Sequence, residues 1–65
     1  LKRDPKLSVL YLELGKALEA ANLAADAVPV YTSGIPIADK NGDLMPRNQM
    51  QSRLADLQKK ADKSG

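Results

Sequence analysis

Seven small or apolar residues stepping by 3, 4, 3, 4, 3 and 4 most constrain what this chain can fold into: Leu7, Leu10, Leu14, Ala17, Ala21, Ala24 and Val28. That spacing keeps them on one stripe of an α-helix, in the manner of a heptad seam. The first half of the stripe is leucine and the second half alanine. Alanine lets another backbone approach closely, so the second half calls for a tight neighbour. Leu18 and Ala25 widen the stripe, and Val9, Tyr11, Leu12 and Leu23 lie beside or outside it. This is more apolar surface than one short partner helix covers. Asp4-Pro5 supplies a start, because an aspartate caps free amides and proline tolerates the first helical position. Pro29 predicts the end near Ala27. Gly15 falls in mid-helix at a cost of about 1 kcal/mol relative to alanine; close packing or a kink accounts for it.

Residues 28–45 change period. Val28, Val30 and Thr32 alternate with Pro29, Tyr31 and Ser33, and Ile35 and Ile37 flank Pro36. Ser33-Gly34 and Asn41-Gly42 are both turn signals. Two hairpins are open: 28–32 with 35–38, or 35–38 with 43–45. Because proline gives no amide to a ladder, any strand here is short or at an edge. The expectation is a small β-hairpin or an extended arm, with Asn41-Gly42 as a tight turn.

Pro46 opens a further helix in its first turn. Met50, Leu54, Leu57 and Ala61 then step by 4, 3 and 4 along one face. The predicted fold is mainly α, one small domain or fragment over 1–65: a helix at about 5–27, a hairpin or arm at 28–45 and a helix at about 46–62. The two helices are expected to form an antiparallel hairpin that oligomerises, with the alanine half of the first receiving the Met50–Ala61 face.

Composition removes most chemistry. Without His there is no base for a nucleophilic serine, and without Cys or His no ordinary zinc site. Asp39-Lys40-Asn41-Gly42-Asp43 departs from a calcium loop, with glycine fourth rather than sixth and Met50 where the bidentate glutamate belongs. Gly34 and Gly42 stand alone, so no phosphate-cradling loop is present. The expectation is no enzyme, no cofactor, no metal and no small-molecule substrate. No apolar run approaches the ~20 residues that span a bilayer, so no membrane partner is expected. Lack of Cys fits a reducing compartment, and the start at Leu1 reads as a trimmed piece of a longer chain.

Net charge is +2, distributed as +2 over residues 1–6, −3 over 7–45 and +3 over 46–65. The basic ends could touch phosphate, with Arg53, Lys60 and Lys63 as candidate contacts helped by Lys2, Arg3 and Lys6. Asp56 interrupts that face, and no aromatic is placed to stack on bases. Weak nucleic-acid contact is therefore the alternative expectation, beside a solvated basic face.

One arrangement resembles a known family. A helix rich in Leu and Ala is followed by Val28–Tyr31, then Asn41-Gly42-Asp43-Leu44-Met45-Pro46-Arg47-Asn48, then Leu54-Ala55-Asp56-Leu57. Over roughly residues 12–61 this is similar to the later part of small terminase subunits of tailed phages, where a helix runs through an extended Asn-Gly segment into a second helix. The resemblance implies ring-forming, non-catalytic oligomers that recognise viral DNA and regulate a separate motor. The functional expectation is a protein-interaction or oligomerisation module using Leu7, Leu10, Leu14, Ala17, Ala21 and Ala24. Its partner is itself or another protein, in the cytoplasm of a bacterium or an infected cell.

Overall fold

The computed structural model describes residues 5–64, with side chains from 6 to 60. The described residues form three helices: α1 (Pro5–Ala20), α2 (Ala24–Asn41) and α3 (Leu44–Ser64). α2 is the central element, packing along both α1 and α3, whereas α1 and α3 touch each other little.

The same device ends α1 and α2. Asn22 takes a left-handed backbone (φ 66°). The Leu23 amide then donates to the Leu18 carbonyl at 2.8 Å, and the Asn22 amide to Glu19 at 3.0 Å. Gly42 repeats this at φ 77°, with the Asp43 amide on Ala38 at 2.8 Å and the Gly42 amide on Asp39 at 3.1 Å. Both are Schellman motifs, which satisfy orphan carbonyls and reverse the chain at once. Asn41-Gly42 therefore turns the chain as a helix cap, not as the tip of a hairpin. Since glycine is preferred over asparagine in this conformation, Asn22→Gly is expected to stabilise the fold by a few tenths of a kcal/mol. Gly42→Val is expected to cost about 1–3 kcal/mol, because a β-branched side chain resists that backbone. Paired thermal melts check both signs.

Three expectations need correction. The first helix stops at Ala20, not near Ala27, because Asn22 caps it before Pro29 is reached. The hairpin or arm at 28–45 is instead α2, which carries Pro29 and Pro36 in its interior, and Ser33-Gly34 is mid-helix. The extended segment implied by the terminase resemblance is absent for the same reason. Both prolines are on the solvent side, where the carbonyls left without a helical donor remain open to water. The α2 stripe that turns inward, Ala27, Tyr31, Gly34 and Ala38, steps by 4, 3 and 4. Finally, α3 lies mainly on α2, and Ala17, Ala21 and Ala24 are exposed instead of receiving it. The last helix begins at Leu44, with Pro46 inside its first turn.

The core is small and depends on missing side chains. It consists of Leu12, Ala27, Tyr31, Ala38, Met50 and Leu57, with Tyr11, Leu18, Val28, Ile35 and Leu54 packed against it. Gly15 is buried under the Tyr31 ring, the close packing that its mid-helix position called for. Gly34 lies where the helices cross: a Cβ there would sit 2.7 Å from Met50 Sδ and 2.7 Å from Tyr11 Cβ. The Met50 and Leu57 positions of the predicted α3 face are buried, with Leu54 half-buried between them; the Ala61 side chain lies outside the described residues.

Candidate interaction surface

On α1 the buried face runs through Ser8, Leu12 and Gly15, with Leu18 and Glu19 half-buried beside it. At 3.6 residues per turn the Leu7–Leu10–Leu14 row lies roughly 140° around the helix from that face. The longest apolar seam in the sequence thus points away from the core. Leu7 is 37%, Leu10 61% and Leu14 51% exposed. With the half-buried Tyr11 they line a shallow apolar depression of about 250 Å³. Ala17, Ala21 and Ala24, the rest of the predicted interface, are exposed as well. Val9, Leu23, Leu44 and Met45 add further exposed apolar area, whereas Leu12, expected outside the seam, belongs to the core.

What faces inward from α1 is partly polar, and each polar group has a partner. The fully buried Ser8 hydroxyl donates to Asp43 Oδ2 at 2.8 Å, tying α1 to the residue that opens α3. Asp39 accepts from Arg47 Nη1 at 2.6 Å across the α2–α3 reversal. Glu19 joins all three helices. It accepts a short hydrogen bond from the Tyr31 hydroxyl of α2 and one of 3.0 Å from Arg53 Nη1 of α3, both on the same oxygen.

Burial alone would raise the Glu19 carboxyl. The hydrogen bonds from Tyr31 and Arg53, with the positive charges of Arg53 and Lys60, outweigh it and hold the group below its ordinary value. Burial, reinforced by the Glu19 carboxylate, pushes the Tyr31 hydroxyl well up, so it stays protonated and donating. The hydrogen bond to Glu19 chiefly raises Arg53. A carboxyl depressed in the folded state favours folding above its unfolded value and loses that contribution as pH falls through the folded one. Stability is therefore expected to drop below about pH 4.3, the ordinary glutamate range. Glu19→Gln should flatten that part of the profile in urea titrations run at successive pH values.

Comparison with family models, curated proteins and solved structures finds no match to this chain. The site must be read from its own chemistry. An open groove of about 610 Å³ beside the Glu19 cluster includes Gln49, Ser52, Arg53, Asp56 and Lys60 in its lining. Its charges are of both signs. Arg53, a candidate phosphate contact, is committed to Glu19, and Asp56 shares the groove. Lys60 lies nearby and acts on Glu19; the Lys63 side chain lies outside the described residues. Ser52 shares the groove with Glu19, Asp56, Lys59 and Lys60. The described residues hold no group of three or more carboxylates suited to a metal ion. No helix of the described chain is long and apolar enough to cross a membrane.

The Tyr31–Glu19–Arg53 cluster was not foreseen from the sequence. Its one local signal is Glu19 four residues after Gly15, on the face opposite the leucines; the partners at 31 and 53 carry no spacing that would pair them with it.

Proposed function

We propose that this chain is a non-catalytic protein-interaction and oligomerisation module that works through the outer face of α1. The observation that carries this reading is the Leu7–Leu10–Leu14 row, exposed on a bundle whose core closes without it. Contiguous apolar surface on a small domain is costly to solubility and marks a contact site. The reading includes no small-molecule substrate and no cofactor, and it sets the face in the cytoplasm of a bacterium or an infected cell, against itself or another protein.

Sedimentation equilibrium tests the reading. The wild-type chain is expected to associate at hundreds of micromolar. Leu10→Asp and Leu14→Asp, on the solvent side, should abolish association while leaving helix content unchanged. A wild-type monomer throughout that range overturns the reading.

A further inference from the structure

We infer that the occupant of the α1 outer face is a second copy of this chain, packed as an antiparallel, two-fold helix pair. The inference rests on the interaction reading and adds partner, orientation and register. One edge of the leucine row carries Lys6 and Glu13, seven residues apart and both exposed; the other edge carries Tyr11 and Leu18. In heptad terms Leu7 and Leu14 occupy one seam position and Leu10 the other, and Lys6 and Glu13 share the flanking position that sets orientation in helix pairs.

A parallel pair would set Lys6 and Glu13 opposite Tyr11 and Leu18 of the second copy, so neither charge would gain an ion pair across the interface. Reversing one helix so that Leu7 meets Leu10 of the other copy brings Lys6 beside the other copy's Glu13, and Glu13 beside its Lys6. The two-fold axis repeats each contact once, giving two leucine contacts and two ion pairs, as an isologous interface requires. Glu13 already meets Lys16 of its own helix at 3.4 Å, an exposed i,i+3 pair too weak to hold it back. The bulk of the bundle lies on the far side of α1, so the approach is open.

Charge exchange tests this on the full chain. Lys6→Glu and Glu13→Lys each turn two attractions into two repulsions. Each is expected to weaken the dimer by about fivefold to tenfold at low salt, and the double exchange Lys6→Glu with Glu13→Lys should restore it. The difference should shrink as salt rises. Circular dichroism of each variant separates lost association from lost folding. Association that ignores the single exchanges, or that sediments as something other than a dimer, overturns the antiparallel pair while leaving the interaction reading standing. Absence of any association overturns the interaction reading itself, and the pair with it.

Discussion

Gly15→Ala and Gly34→Ala are expected to destabilise the bundle, although glycine to alanine inside a helix ordinarily gains about 1 kcal/mol. At Gly34 the new methyl would stand 2.7 Å from both Met50 Sδ and Tyr11 Cβ. The thioether can swing aside, but a Cβ moves only with its helix, so α1 must back away from α2. Overpacking of this kind costs about 1–3 kcal/mol, occasionally more. At Gly15 the methyl would fall within the Tyr31 ring. Displacing that ring also pulls its hydroxyl from Glu19, a charged hydrogen bond of about 1.5–3 kcal/mol. Gly15→Ala should be the worse of the two. In a domain of this size, stable by only a few kcal/mol, it should leave much of the chain unfolded. Urea denaturation gives the order directly, and a midpoint above wild type for either variant would mean that the helices are farther apart than described.

Pro29→Ala and Pro36→Ala should do the opposite. Each gives α2 back an amide, directed at the Ala25 carbonyl in one case and the Thr32 carbonyl in the other. Both rings face solvent, so no packing is lost. An interior proline costs a helix about 3 kcal/mol, while its stiffening of the unfolded chain returns about 0.4–1 kcal/mol. Each replacement should therefore raise stability by about 2 kcal/mol. The sites lie two helical turns apart, roughly 10 Å, so the double variant should come close to the sum. A fall in melting temperature at either site would show that its ring makes a contact that exposure does not reveal.

Those prolines also explain what was legible in the sequence. The Met50–Leu57 face of α3 follows from its period and appears as such, while the Asp4 cap expected for α1 lies outside the described residues. The left-handed Gly42 follows from Asn-Gly, though it caps a helix rather than tipping a hairpin. Residues 28–41 were unreadable as a helix because Pro29 and Pro36 argue for extended chain, and Val28, Val30, Ile35 and Ile37 supply an apparent alternation. The true stripe there, Ala27–Tyr31–Gly34–Ala38, contains one large side chain. A pattern search weighted towards bulk does not register a stripe whose purpose is to bring backbones together. The same blindness applies to α1, where three leucines outweigh Ser8, Gly15 and Glu19, yet the latter face the core. Which face turns inward was decided by where the Tyr31 ring could be seated, and that depends on a glycine sixteen residues earlier.

The two near-identical reversals also bear on how fast the chain finds its structure. Only three residues separate α1 from α2 and two separate α2 from α3, and most helix packing joins sequence neighbours. Such a layout has low contact order, and domains of that kind fold in microseconds to milliseconds. The polar ties between α1 and α3 span far more chain, 35 residues for Ser8–Asp43 and 34 for Glu19–Arg53. They lie about 16 Å apart along α1, near its two ends. The α1–α2 and α2–α3 pairs can therefore form first and independently, and these ties latch afterwards, so weakening either should speed unfolding while leaving the refolding rate nearly unchanged.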